Sequence, residues 1–254
     1  MNLQVVFNNF AFLILQGFLG IGKFAGGTLR LAIPAIIFGF ILGVFIGLGR
    51  LARSRWISTP ATIYVEFFRG VPLVMVIFWF WFIIPALLGK SLPEYSVALT
   101  AFVVFEAAYL GEIVRAGVQS VPRGQMEAAT ATGLTRAQVM RHVILPQALR
   151  NMIPALVTQF IVLLKDTSLA SIIGYVELTK AAQIVNNREI RPFELYLFIA
   201  VVYWFCSYAM SSYARSLESR LTHHSVCYGE WPEIGHRVPR LFASISLTVS
   251  PPLR

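Results

Sequence analysis

Charged residues and cysteines are both scarce in this sequence of 254 residues. Asp, Glu, Lys and Arg make up 13% of the chain, about half the share of a typical soluble domain. The two cysteines, Cys206 and Cys227, are too few for a disulfide framework. No basic residue precedes Lys23, so the positively charged segment that begins a cleavable signal peptide is missing. These shortages argue against a soluble or disulfide-stabilised domain.

Long apolar stretches fill most of the chain instead. Hydrophobic residues account for 57% of the sequence, and the mean hydropathy is +0.69. A membrane-spanning helix needs about 20 mostly apolar residues. The pattern predicts an all-α membrane protein with about five spans, at 26–48, 71–88, 95–118, 151–176 and 193–213. Residues 1–22 are apolar but broken by Asn8, Asn9 and three glycines. They predict an interfacial helix, with a sixth span as the alternative.

The net charge of +9 has an explanation that needs no nucleic acid, since membrane proteins collect Lys and Arg in their cytoplasmic loops. Ten arginines follow the first, third and fifth predicted spans, whereas five basic residues lie on the opposite side. This majority predicts an external N-terminus and a cytoplasmic C-terminus.

The segment between the third and fourth predicted spans, about 120–147, is too polar to cross a membrane. Gly133 can adopt the left-handed conformation that ends a helix. Thr135 followed by Gln138 fits a capping box, which starts a new helix. Pro146 marks the next predicted boundary. We therefore predict two short helices that meet at a sharp angle on the arginine-rich side.

This segment resembles the Glu-Ala-Ala loop of importer permeases in the ABC superfamily, with Val143 where isoleucine is common. In that family the loop docks in a groove of the ATPase subunit. The residues that carry this implied role are Glu127, Ala128, Ala129, Gly133, Leu145 and Pro146. Small side chains at 128 and 129 allow close approach.

The resemblance extends over about 26–221 and is strongest to permeases for polar amino acids. Residues 64–73, 112–122 and 162–169 match that branch, and 105–109 is most like the glutamate/aspartate permeases. It implies a type I importer permease domain over 23–221 in the bacterial inner membrane. The implied partners are two ATPase subunits, a second permease that is identical or paralogous, and an extracytoplasmic amino-acid-binding protein.

The chain itself is expected to be non-catalytic and to hold no cofactor or metal, with ATP bound by the partner. Gly89-Lys90-Ser91 resembles the end of a phosphate-binding loop, but Ile84 stands where that loop needs glycine. An ion-driven secondary transporter or channel is the alternative, and a scaffold that moves nothing is another. Residues 222–254 differ in composition and are predicted to form a disordered tail, to which we assign no function.

Charges inside predicted spans are costly, at about 2.5–3.5 kcal/mol each on insertion scales. We expect five polar residues to line a pathway for a zwitterionic amino acid: Arg69, Glu106, Lys165, Asp166 and Thr167. Lys165 or Arg69 would meet the substrate carboxylate. A network that only holds the third and fourth spans together, with Glu106 paired to Lys165, is equally compatible with the sequence.

Two further patterns concern packing. Glu66 and Arg69 are three residues apart on one helical face, which predicts a local ion pair. Gly39, Gly43 and Gly47 recur every four residues in the first span, a spacing that lets another helix approach closely. Packing within the subunit is favoured over contact with a partner.

Overall fold

A computed structural model describes residues 4–22 and 26–226, and this part of the chain is almost entirely helical. The α-helices are α1 (Gln4–Ala11), α2 (Thr28–Arg50), α3 (Arg55–Gly70), α4 (Leu73–Leu88), α5 (Glu94–Gln119), α6 (Arg123–Ala131), α7 (Arg136–Val139), α8 (Leu145–Asp166), α9 (Leu178–Glu189) and α10 (Pro192–Val226). Two π-helical stretches, Phe12–Leu19 and Met140–Ile144, continue α1 and join α7 to α8. A 3₁₀ stretch, Thr167–Ile173, follows α8.

Four helices in the described part are long and apolar enough to cross a membrane: Thr28–Arg50, Glu94–Gln119, Arg136–Ile173 and Pro192–Ser216. The second predicted span, over 71–88, is not a straight helix. It corresponds to α4, which reaches a spanning length only together with α3, and the two helices bend by 106°. The predicted number of about five spans is confirmed when this bent pair counts as one.

The bend between α3 and α4 follows from the sequence Gly70-Val71-Pro72. A residue before proline is pushed out of the α region, and Val71 accordingly has φ −109° and ψ 138°. Pro72 is also extended and precedes the first turn of α4. The chain therefore changes direction at this point and leaves a concave surface beside the break.

The predicted boundary at Pro146 is wrong, because a continuous helical segment runs from Arg136 to Ile173. A proline inside a helix removes one hydrogen bond and crowds the preceding turn. Here the π-helical stretch widens that turn, and the Leu145 N–H donates to the Met140 carbonyl. The chain thus passes Pro146 without a break. Only α6 is a separate short helix, and α7 is the first turn of a long one.

The glycines of α2 pack against α5 within the subunit, as favoured from the sequence. A Cβ atom at Gly43 would lie 2.9 Å from Leu110 Cβ, and one at Gly47 would lie 2.5 Å from the Gly111 carbonyl oxygen. Side chains at these positions would force the two helices apart. The close approach of α2 and α5 forms the centre of the bundle.

The first helical segment belongs to a separate apolar cluster with α9 and α10. Val6 and Leu13 are buried there with residues such as Leu178 and Leu195. At 16 residues, Gln4–Leu19 is shorter than the helices that could span, and its interfacial position stays a prediction. Residues 222–226 of the predicted tail belong to α10. The rest of the tail, from 227 onwards, lies outside the described residues.

A buried carboxylate, Glu177, fixes the start of α9 beside this cluster. Its oxygens accept the N–H groups of Thr179 and Lys180, each at 2.7 Å, and the Tyr203 hydroxyl at 2.9 Å. Burial raises the pKa of Glu177 to about 7, while the three donors act in the opposite direction. The Tyr203 hydrogen bond joins the start of α9 to α10.

Candidate functional site

A cavity of about 520 Å³ lies beside the break between α3 and α4. The backbone of the break, from Arg69 to Leu73, forms one wall, and side chains of α5 and α8 form the others. Phe105, Val162 and Leu169 give the walls an apolar character. Binding pockets of transporters often form at such interrupted helices, where the backbone lines a cavity.

Arg69 supplies the positive charge of this cavity. Its guanidinium carbon lies 5.6 Å from the centre of the Tyr109 ring, and Tyr109 also lines the cavity. The Nη1 atom is 4.0 Å from Oε1 of Glu112, and 40% of the Arg69 side chain is exposed. Arg69 therefore has one distant anionic partner and remains accessible to a ligand.

Asp166 and Gln159 supply the polar groups of α8. They are seven residues apart, which is two helical turns, so they share one face. Both line the cavity, and Asp166 is half-buried at the last residue of α8, where the helix tightens into the 3₁₀ stretch. Asp166 thus lies at a change of helix type and not in the middle of a regular span.

Glu106 lies behind the wall of the cavity. It is fully buried, and its Oε2 accepts a hydrogen bond of 2.9 Å from Nε2 of Gln159. Its Oε1 is buried without a hydrogen-bond partner among the described residues. The Glu106 Cβ would be only 3.1 Å from a Cβ at Gly39, so α2 closes the other side. Glu106 therefore orients the Gln159 amide from behind.

The other two residues predicted for the pathway lie elsewhere. Lys165 is exposed and is not among the residues that line the cavity. It does not pair with Glu106, which binds Gln159 instead. Thr167 is buried, and its hydroxyl donates to the Leu164 carbonyl at 2.7 Å. The structure thus brings Arg69 and Asp166 together at one cavity and adds Gln159 and Tyr109, which the sequence analysis did not select.

An ionic cluster joins α2, α3 and α5 next to the cavity. Arg50 and Arg115 both donate to the carboxylate of Glu112, with 2.9 Å from Arg115 Nε to Oε2. The expected local pair between Glu66 and Arg69 is wrong, because Glu66 lies 3.4 Å from Arg50 and Arg69 turns towards Glu112. Spacing along one helix could not reveal a competing arginine on α2.

The turn between α6 and α7 has the local geometry predicted for it. Gly133 has φ +85° and open space around it. The Thr135 side chain accepts from the Gln138 N–H, and the Gln138 side chain accepts from the Thr135 N–H, which completes the capping box. These features turn the chain sharply between α6 and α7.

The residues expected to contact an ATPase differ in exposure. Five of them are exposed on the surface: Glu127, Ala128, Gly133, Leu145 and Pro146. Ala129 is buried in an apolar cluster with residues such as Val139 and Ile144. The cluster packs α6 against the start of the long helix.

Comparison with known proteins identifies the kind of protein that carries this arrangement. Residues 35–223 match the family of binding-protein-dependent transport system inner membrane components. The chain belongs to this family. This inner membrane component is a non-catalytic transport subunit, and membership does not fit a secondary transporter or a channel.

Individual relatives agree with the family. The probable glutamine ABC transporter permease protein GlnP of Bacillus subtilis is 40% identical over 77% of this chain and 90% of that protein. The glutamate/aspartate import permease protein GltK of Escherichia coli O157:H7 is 39% identical over 76% of this chain and 89% of that protein.

Solved structures confirm the predicted type I importer permease fold. An amino acid ABC transporter crystallised with histidines gives a TM-score of 0.77 at 34% identity, over 84% of this chain and 96% of that one. The methionine ABC transporter MetNI, in an inward facing conformation, gives 0.63 at 19% identity, over 81% and 96% respectively. At that identity the second likeness concerns the fold alone.

Proposed function

We propose that this chain is the permease subunit of an ATP-driven importer for a polar amino acid, and that the cavity at the α3–α4 break receives the substrate. The observation that carries the proposal is the presence of Arg69 and Asp166 in the same cavity. A zwitterion presents a carboxylate that a guanidinium binds and an ammonium that a carboxylate binds. The volume of about 520 Å³ lies within the range of small-molecule sites.

The chemistry of the cavity bears on the substrate side chain. The sequence resemblance favours glutamate or aspartate, and a relative such as the Escherichia coli protein imports these two. An acidic amino acid carries two carboxylates, yet Arg69 is the single cationic residue among the described residues that line the cavity. Gln159 can instead form hydrogen bonds with an uncharged polar side chain. Glutamine, the substrate named for the Bacillus subtilis relative, is therefore the second candidate.

The remaining parts of the importer follow from the same proposal. Two ATPase subunits would bind ATP, so the permease would need no cofactor of its own. The exposed residues of the coupling segment, Glu127 to Pro146, would contact them on the cytoplasmic side. A second permease subunit and an external binding protein would complete the complex. The N-terminus would lie outside the cell and the C-terminus inside.

Uptake by the reconstituted importer tests the proposal. Proteoliposomes would contain the permease and its ATPase, with the binding protein added outside, and labelled L-glutamate, L-aspartate, L-glutamine and L-histidine would be compared. We expect uptake of at least one of these to require ATP. The variants Arg69→Gln and Asp166→Asn should each reduce uptake by about tenfold or more, since each removes a charge-assisted contact.

Lys165→Gln is the matched control, because it removes a neighbouring charge that does not line the cavity. It should retain most uptake, whereas a loss equal to that of Arg69→Gln would return Lys165 to the pathway. Uptake driven by an ion gradient without ATP would contradict the proposed function.

A further inference from the structure

Arg69 belongs to two sets of contacts at once. It lines the cavity at the α3–α4 break, and its Nη1 lies 4.0 Å from Glu112 in the ionic cluster. The negative charge of Glu112 partly offsets the positive charge that a ligand carboxylate would meet at Arg69. A carboxylate that enters the cavity therefore competes with Glu112 for Arg69.

Glu112 can release Arg69 at little cost. Its carboxylate already accepts hydrogen bonds from Arg50 on α2 and from Arg115 one turn further along α5. Both arginines are closer to Glu112 than Arg69 is. The Arg69 contact is thus the weakest of the three, and it is the one that a ligand can replace.

We propose that Glu112 is a positioning residue that weakens the cavity's hold on the substrate carboxylate by attracting Arg69. This inference rests on the proposed function, because it assumes that the cavity binds a carboxylate. A transport site must release its ligand as well as bind it, so binding has to remain weak. Arg115 adjusts the effect, since it neutralises Glu112 and lowers its attraction for Arg69.

The proposal predicts opposite effects for two neighbouring substitutions. Glu112→Gln removes the competitor, so substrate should bind more tightly. Arg115→Gln leaves Glu112 less neutralised, so Arg69 should be held more firmly and substrate should bind more weakly. We expect a change of about threefold in Kd in each direction, the size of a partly exposed ion pair. Damage to the fold would weaken binding in both variants.

Equilibrium binding of labelled L-glutamine and L-glutamate to the permease–ATPase complex in nanodiscs, without binding protein, measures these changes. Glu189→Gln is the matched control, because it makes the same exchange at an exposed position at the end of α9. Its Kd should equal that of the wild type. Binding of L-glutamine α-amide, which has no carboxylate, should not change in Glu112→Gln.

The outcomes separate the two proposals. If the wild type binds and Glu112→Gln binds equally or more weakly, the role of Glu112 is refuted while the cavity stands. If Glu112→Gln fails to assemble, Arg115→Gln decides by comparison with L-glutamine α-amide. Weaker binding of L-glutamine alone supports the inference, whereas unchanged or tighter binding, or an equal loss for the α-amide, refutes it. If the wild type binds none of the labelled amino acids, the proposed cavity and the role of Glu112 both fall.

Discussion

A buried carboxyl group on α5 illustrates how single residues shape the cavity from behind. Glu106 Oε2 accepts a hydrogen bond from Gln159 Nε2 at 2.9 Å, and the side chain is fully buried. Loss of that acceptor would leave a partly buried amide without its partner, which costs about 1–3 kcal/mol. Glu106 therefore stabilises the bundle and orients a group that lines the cavity.

Two substitutions at this position should differ. Glu106→Gln keeps an acceptor oxygen for Gln159, whereas Glu106→Leu has similar bulk and no acceptor. We expect Glu106→Leu to lower the melting temperature of the purified complex and to reduce substrate binding, and Glu106→Gln to remain close to the wild type. Thermal unfolding of both variants is the measurement. If the leucine variant and the wild type melt at the same temperature, the hydrogen bond does not stabilise the complex.

The sequence could predict the individual charges of the site but not all of their partners. Arg69 and Asp166 were identifiable because charges are rare in apolar spans. Gln159 carries no charge, so the same criterion does not select it, although its spacing of seven residues from Asp166 places both on one helical face. The partner of Glu66 is Arg50, which is 16 residues away on α2. Spacing along α3 alone cannot reveal this pair.

Individual elements follow local rules where the chain turns sharply. Gly133, with φ +85°, adopts a conformation that costs other residues about 1–2 kcal/mol. No atom lies within 4 Å of a Cβ at this position, so the cost of a substitution would come from the backbone and not from a clash. The coupling segment therefore depends on glycine for its bend.

Substitutions of Gly133 should show that uptake depends on the backbone conformation at this position. Gly133→Ala should reduce ATP-driven uptake and Gly133→Asn should reduce it less, because asparagine tolerates the left-handed region better than alanine. Gly133→Asp adds a charge to the same strain, and we expect uptake to be lost. ATPase activity and uptake of each variant should be measured together. Full uptake in Gly133→Ala would contradict a fixed bend.

The packing of α2 on α5 gives a second prediction at this scale. Gly47→Ala would place a Cβ 2.5 Å from the Gly111 carbonyl oxygen, whereas Gly49→Ala on the same helix meets only ordinary contacts from 3.5 Å. Overpacking typically costs about 1–3 kcal/mol. We expect Gly47→Ala to lower the melting temperature of the complex and Gly49→Ala to leave it unchanged or raise it slightly.

Proline shows where prediction of element boundaries fails. Pro72 ends α3 as expected for a residue that restricts its predecessor, yet Pro146 lies inside a continuous helix. The chain accommodates Pro146 through the π-helical stretch Met140–Ile144, which no simple sequence pattern predicts. The number of spans was predictable from apolar length, but the shape of α3 and α4 required knowledge of the bend.

At the scale of the whole molecule, orientation remains a prediction from the arginine distribution. It places position 90, between α4 and α5, outside the cell and position 135, between α6 and α7, inside. With Cys206 and Cys227 replaced by serine, single cysteines at Lys90 and Thr135 would report on each side. A membrane-impermeant thiol reagent should label the first in intact cells and the second only after permeabilisation. The reverse pattern would invert the topology.

The glycine-mediated contact between α2 and α5 has a consequence for hybrid permeases. Each helix fits the other's backbone at Gly43, Gly47 and Gly111, so neither surface is complementary to an arbitrary helix. In a chimera that takes α2 alone from a relative, the surface of α2 does not fit α5. A chimera that takes both helices keeps two surfaces that fit each other. Hybrid permeases should therefore take α2 and α5 from the same parent, and α8 with them, because Gln159 on α8 is hydrogen-bonded to Glu106 on α5.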